Sequence, residues 1–317
     1  MLIRLLARCR PVGFRMSLMH SGPPLASRDG LTVIDCKACG FAHLETLPDA
    51  AALADYYQST FWQVDKVGTL ERMEAERDWH DMRHGDWLQL LEAATLGRTL
   101  LDVGCGYGFF MAEAQRRGWL PLGIEPSAMA GEIARVTCER KINEWPGDVY
   151  NGTWETISFP MRPDHFDAIS ALWLLEHLPD PLAFLRWCRE HLYGGGALLL
   201  AVPNELTELQ RHATAVSGAG QWWVHKTHMA YFTPATLANL LGRAGFRIVD
   251  ILGTWPVEQF VIDGQDYTVN PALGNKLYRE LQLYDMGLSR DERLAEYRQR
   301  GREGRGRDLI VVSVPSE

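Results

Sequence analysis

No run of apolar residues in the 317-residue chain approaches the roughly 20 that a membrane-spanning helix needs, so no membrane span is expected. An excess of positive charge is lacking too. Against 32 Lys and Arg stand 40 Asp and Glu, a net charge of −8, whereas a nucleic-acid partner calls for clustered cations to meet its phosphates. Cysteine is sparse: Cys9, Cys36, Cys39, Cys105, Cys138 and Cys188 are scattered, with no secretory signal beside them. That argues against a disulfide framework and for a reducing, cytoplasmic location. What is present is an apolar content of 46% with 23% charged residues, the make-up of a globular protein, and a length that suits one α/β domain with decorations at its ends.

The first 28 residues contain Arg4, Arg8, Arg10, Arg15 and Arg28 and no acid. Residues 1–30 therefore read as a basic, disordered leader, with an organelle transit peptide or initiation at Met16 or Met19 as alternatives. Residues 31–96 form a second unit. It opens with a strand, Leu31 to Cys36, and a knuckle-like turn, Cys36-Lys-Ala-Cys39-Gly40, of the kind that holds half of a zinc site. From Pro48 to about Leu96 the pattern is helical, and Gly97 is placed to end it.

From residue 97 to 317 strands and helices alternate. Strands are expected at Thr99–Val103, Leu120–Ile124, Val149–Gly152, Phe166–Leu172 and Ala197–Val202, with helices between them and a turn at Gly194-Gly195-Gly196. Repeated βα units imply a parallel sheet covered on both faces, because right-handed crossovers return the chain that way. Ligands of such sheets bind beyond the carboxyl ends of the strands. A helix from Pro234 to Ala244 and the strands Phe246–Leu252 and Leu309–Val314 follow, separated by an insertion over 253–308 with a helical stretch at Gly274–Met286. The insertion ends in Gly301-Arg-Glu-Gly-Arg-Gly-Arg307, which reads as a flexible basic loop.

The chemistry lies in Asp102-Val103-Gly104-Cys105-Gly106-Tyr107-Gly108, directly after a strand and before a helix, where backbone amides and a helix N-terminus converge on a ligand. A nicotinamide-binding loop has glycines spaced Gly-x-Gly-x-x-Gly. Here the third glycine comes one residue early and an acid precedes the loop, which disfavours an NAD-dependent oxidoreductase. Glu125 ends the next strand 17 residues past Gly108, suitably placed to accept both hydroxyls of a ribose.

Leu101 to Gly108, Gly123-Ile-Glu125-Pro126, Phe166-Asp-Ala-Ile169, Leu174-Leu-Glu-His-Leu-Pro-Asp-Pro181, Ala197 to Asn204 and His228 to Thr233 together resemble the class I S-adenosylmethionine (SAM)-dependent methyltransferases over about residues 98–252. The resemblance implies a Rossmann-like, doubly wound, mainly parallel seven-stranded sheet. It implies SAM as cofactor, held by Asp102, Gly104, Cys105, Gly106, Tyr107, Gly108, Glu125 and Pro126, with Thr153 and Trp154 at the adenine and Trp173 beside the pocket. Many relatives carry an acid where Thr153 stands. Trp173 fits a cation–π or stacking role and core packing equally. A protein that binds SAM without turnover is the non-enzymatic alternative.

Relatives with an N-terminal zinc ribbon carry two Cys-x-x-Cys pairs about 15–20 residues apart, and only Cys36 and Cys39 are present here, with Cys9, His20 and His43 as irregular stand-ins. A remnant without metal is therefore expected. Tyr56-Tyr57 and Phe61-Trp62 resemble the aromatic lid of these enzymes. The activated methyl needs in-line alignment and exclusion of water more than it needs a base. If a hydroxyl of high pKa is the acceptor, His177, His225 and His228 are the candidates for a base, His177 and His228 first. Trp222-Trp223 and the aromatics Trp255, Phe260, Tyr267 and Tyr278 offer an acceptor pocket, a homodimer contact or ordinary packing. The expected acceptor is a small molecule: a sugar, a quinone-type phenol or a lipid-linked intermediate.

Overall fold

The computed structural model describes residues 20–48, 50–138, 147–157 and 164–316; Cys9 and the greater part of the basic leader lie outside them. In chain order the elements begin with strands β1 (Pro24–Arg28), β2 (Leu31–Cys36) and β3 (Phe41–Leu44). Helix α1 (Ala50–Asp55), a π-helix (Tyr56–Asp65), α2 (Thr69–Ala75) and α3 (Arg77–Ala94) follow. The alternating core is β4 (Thr99–Val103), α4 (Phe109–Arg116), β5 (Leu120–Glu125), α5 (Ala128–Thr137), β6 (Asp148–Asn151), β7 (Phe166–Leu172), α6 (Pro181–Glu190) and β8 (Leu192–Pro203). The remainder comprises α7 (Glu208–Val216), β9 (Ala230–Tyr231), α8 (Pro234–Arg243), β10 (Phe246–Gly253), α9 (Glu258–Ile262), α10 (Pro271–Gly287), α11 (Arg290–Glu303) and β11 (Asp308–Pro315).

Seven strands form one sheet in the order β10-β11-β8-β7-β4-β5-β6. β8, β7, β4, β5 and β6 run parallel, and β11 inserts antiparallel between β8 and β10. The strands are apolar along their length because both faces are covered: Leu101, Val103, Ile169 and Leu198 point into one fully buried cluster, Leu100, Ala168, Leu199 and Ile310 into the other. Helix starts follow capping chemistry, with Ser127, Asp180, Thr207, Thr233 and Ser289 each accepting a backbone N–H from the first turn. A second sheet, β1-β2-β3-β9, is antiparallel throughout and joins the N-terminal segment to β9. No helix among the described residues is long and apolar enough to cross a membrane.

Four expectations are corrected. Pro24–Arg28, within the expected leader, is a strand, because β2 offers it an edge with which to pair. The helical stretch before Gly97 is four consecutive helical pieces instead of one. The three glycines at 194–196 lie inside the twelve-residue β8 instead of forming a turn before it. A Cβ on Gly196 would lie 3.0 Å from the Asp167 carbonyl oxygen, so the glycine serves close strand approach. Gly301 to Arg307 is no loose basic loop. α11 continues to Glu303, Gly301 is buried against the backbone of Ile251, and Gly306 lies on Gly253 too closely for any Cβ. Arg307 is held 3.0 Å from the buried Glu258.

Candidate cofactor and acceptor site

The carboxyl ends of β4, β5 and β7 meet at the glycine loop. Gly104, Gly106 and Gly108 have φ of +74°, +53° and +78°, all in the left-handed region that favours glycine. Their conformation folds the loop back on β5: the Gly104 and Cys105 amides donate to Ile124 O at 2.8 and 3.1 Å. At Gly108 a Cβ would come within 2.9 Å of the Ala134 Cα, so this glycine also lets α5 pack against the start of α4.

Glu125 is the hub. Its Oε2 accepts the Gly106 N–H at 3.0 Å, while Oε1 accepts the Ser127 N–H at 3.0 Å and the Trp62 indole N–H at 3.2 Å. Burial raises the pKa of this carboxyl, and the three donors oppose that rise. Trp62 sits on the loop: its ring centroid is 4.5 Å from that of Tyr107, and a Cβ on Gly106 would be 3.1 Å from the indole. The π-helix thus lays its tryptophan over the edge where a ribose would lie.

Asp102 turns inward. Ser170 donates to its Oδ1 at 2.6 Å, and burial pushes the carboxyl up to about 7 in spite of that bond, which makes it a brace between β4 and β7. Trp173 is strained at φ +52°; its indole donates to Asp308 at 3.3 Å and its ring faces Trp87 at 5.7 Å. The Arg83 guanidinium lies over Trp79, Trp87 and Trp173, at 4.2, 4.9 and 5.7 Å, and its buried Nε has no hydrogen-bond partner. Thr153 is half-buried, and its N–H donates to Thr156 Oγ1 at 3.0 Å. Trp154 packs on Phe184 and Trp187, with its indole N–H unpaired.

On the other side of Trp62, the lid, the 225–228 segment and the turn after β7 converge. Tyr56, Phe61, Asp65, Lys66, His225, Lys226 and Thr227 line a cavity of about 360 Å³. Lys226 pairs with Asp65 at 3.1 Å and lies 5.3 Å from the Tyr56 ring; Lys66 lies 5.4 Å from the Phe61 ring. Burial, with Arg72 nearby, lowers the Lys66 pKa. His225 Nδ1 is 2.7 Å from Thr227 Oγ1, and burial together with His228 and the two lysines lowers its pKa below the usual histidine value.

His177 and His228 lie beneath this cavity, their ring centroids 5.1 Å apart. His177 Nδ1 is 2.7 Å from the Thr227 carbonyl and 3.0 Å from the Tyr57 hydroxyl. A carbonyl only accepts, so Nδ1 carries the proton. Burial drives the His177 pKa down to about 3, which makes it a weak base. For His228, burial opposes charge, but Glu205 at 3.5 Å and Glu176 outweigh it and raise the pKa. Glu176 is pushed up to about 8 by burial.

The structure therefore gathers Asp102, the three glycines and Glu125 at one edge, and His177, His225 and His228 at another. Sequence reasoning missed Arg83, Ser170 and Lys66; none lies in a motif, and only packing shows them. The other aromatics do not line the cavity: in the insertion Trp255 faces Arg300 and Tyr284 and Tyr278 faces Trp79, and before it Trp223 is buried against Tyr231.

This sheet order, with its antiparallel β11 and its glycine loop opposite an acid on β5, defines a class I SAM-dependent methyltransferase. Residues 74–251, more than half of the chain, match the family model described as a methyltransferase domain, and the protein belongs to that family. Among curated proteins, the ubiquinone biosynthesis O-methyltransferase of Idiomarina loihiensis is 26% identical over 235 residues, covering 72% of this chain and 93% of that one. The protein of the same name from Cereibacter sphaeroides (strain ATCC 17025 / ATH 2.4.3) is 32% identical over 163 residues, half of this chain and 63% of that one. Among solved structures, magnesium protoporphyrin IX methyltransferase from Synechocystis PCC 6803, with bound SAH, superposes with a TM-score of 0.52 at 16% identity, covering 84% of this chain and all of that one. The cofactor is SAM, and the enzyme is a methyltransferase.

Proposed function

We propose that the protein methylates the oxygen of a quinone-type phenol. The observation that carries this reading is the cavity bounded by Tyr56 and Phe61 and by two cations, Lys66 and Lys226. A flat phenol fits between aromatic faces, and ammonium groups nearby stabilise its phenolate, whose unperturbed pKa is near 10 on the evidence of tyrosine. The names of the curated relatives point the same way.

His225 is the group suited to take the phenolic proton. Unlike His177 and His228, it lines the cavity, and its lowered pKa leaves it neutral near pH 7. The oxygen then attacks the sulfonium methyl carbon. The carbon–sulfur bond breaks with its electron pair remaining on sulfur, which gives an aryl methyl ether and S-adenosylhomocysteine. Glu125 would hold the ribose, and the backbone of the glycine loop the methionine portion. Arg83 is a buried cation with an unpartnered Nε, which suits the cofactor carboxylate. Phe61 would keep water from the reacting atoms.

The test incubates the full chain with methyl-labelled SAM and, separately, a catechol-type quinol precursor and a nucleotide sugar. Label recovered as an aryl ether from the first and none from the second is expected. Label on a sugar hydroxyl, or none in either, would overturn the assignment.

A further inference from the structure

We propose that His20, Cys36, Cys39 and His43 bind a zinc ion that fastens the N-terminal segment to the β2–β3 hairpin. One ligand atom from each of the four lies within 4.8 Å of all the others. His20 Nδ1 is 3.2 Å from His43 Nε2, 3.3 Å from Cys39 Sγ and 3.9 Å from Cys36 Sγ. Around a tetrahedral zinc with Zn–N near 2.0 Å and Zn–S near 2.3 Å, neighbouring ligand atoms lie about 3.3–3.8 Å apart. Two thiolates and two imidazoles converging in this way form a closed structural set, and soft sulfur with nitrogen selects zinc over magnesium or calcium.

The backbone is shaped for it. Gly40, at φ +77°, closes the knuckle, and its N–H donates to Cys36 O at 2.8 Å. His43 Nδ1 is 2.7 Å from Leu44 O, which fixes the tautomer that leaves Nε2 free to ligate. The Arg243 guanidinium, from α8, donates to the Cys39 carbonyl. His20 reaches the cluster because Gly22 lies flat on β2: a Cβ there would fall 1.9 Å from Asp35 O, and the Asp35 N–H donates to Pro23 O at 3.0 Å. The ligands differ from the two cysteine pairs of a ribbon, since His20 replaces the missing pair and His43 completes the set from β3.

The site also has a mechanical consequence. His43 is paired in register with Ala230 on β9, two residues after His228. Zinc therefore stiffens the strand that anchors the 225–228 side of the acceptor cavity.

The test measures metal in the full chain, purified without added metal, by plasma mass spectrometry, and then titrates the metal-stripped chain with Co²⁺. About one zinc per chain is expected, and the cobalt form should show the visible bands of a tetrahedral site with sulfur-to-cobalt charge transfer. Cys39→Ser should lose that charge-transfer band in large part. His20→Ala should lower zinc affinity by more than the roughly 10–100-fold typical of losing an outer-shell partner. Cys138→Ala, in a separate core cluster beside α4 and β6, should leave the metal content unchanged. A wild-type chain that holds less than a tenth of an equivalent of zinc and shows no tetrahedral cobalt spectrum overturns the proposal. So does a Cys36→Ser/Cys39→Ser chain with unaltered metal content. Because the decisive measurements are made on the wild-type chain, a variant that fails to fold does not blur the result.

Discussion

The two halves of the site are built in different ways. At the edge of the large sheet, most of the contacts that shape the site come from backbone: left-handed glycines, strand ends and the amides of Gly106 and Ser127 around a single carboxylate, which Trp62 alone meets with a side chain. The proposed acceptor half is assembled from side chains on segments far apart in sequence, the π-helix at 56–65, the turn at His177 and the 225–228 segment. A backbone-built site is tied to a fold and leaves a compact signature in sequence. A site built from side chains of three segments can change specificity without disturbing the sheet.

Breaking the first half should give the largest effect. Glu125→Ala removes the carboxylate proposed to accept two ribose hydroxyls; at about 1.5–3 kcal/mol for each bond to a charged group, SAM affinity should fall by at least about 10²-fold in calorimetry. A Kd within a few-fold of wild type would show that the ribose lies elsewhere. Breaking the second half should spare cofactor binding. His225→Ala is expected to lower kcat by about 10²-fold with the SAM Kd unchanged. The acid limb of the wild-type pH–rate profile should fall below pH 6.5, as the lowered pKa of a base that must be neutral requires, and the variant should lack it.

Gly108→Ala tests the backbone design directly. The added Cβ meets φ +78° and the Ala134 Cα at 2.9 Å, a strain of about 1–2 kcal/mol, which thermal denaturation should report as a loss of about 1.5–3 °C. The smallest effect concerns pH. Glu176 is raised from 4.5 to about 8, so the folded state holds a proton that the unfolded chain releases between those values. Stability from this group should therefore decline as pH rises from 4.5 to 8. Glu176→Gln should flatten the decline in Tm, and an unchanged slope would assign it to other groups.

Legibility followed the same division. The order of strands and helices from residue 99 to 203 was readable because apolar runs, caps and glycines are local signals. The place of Glu125 at the end of β5, against the glycine loop, is readable because its spacing from the loop is fixed by one βα unit. His225 could not be ranked above His177 and His228 from sequence, since their neighbours, Thr227, Glu205 and Tyr57, are set by packing. Gly301 and Gly306 resembled loop residues because close backbone packing against β10 leaves the same composition as flexibility. The pair Cys36 and Cys39 looked incomplete, since nothing in the spacing tells that Gly22 brings His20 onto β2.

The Trp62–Glu125 bond bears on the order of events in turnover. Glu125 has lone pairs for about four hydrogen bonds, and three are already occupied by Gly106, Ser127 and Trp62. On the proposed ribose contact two more donors arrive, so seating both hydroxyls would require the indole to withdraw. The same π-helix carries Tyr56 and Phe61 of the acceptor cavity, and the displacement of Trp62 therefore moves that wall. Cofactor arrival and acceptor-site formation become one mechanical step, and the kinetic scheme expected of such an enzyme is ordered, with SAM binding first and S-adenosylhomocysteine leaving last.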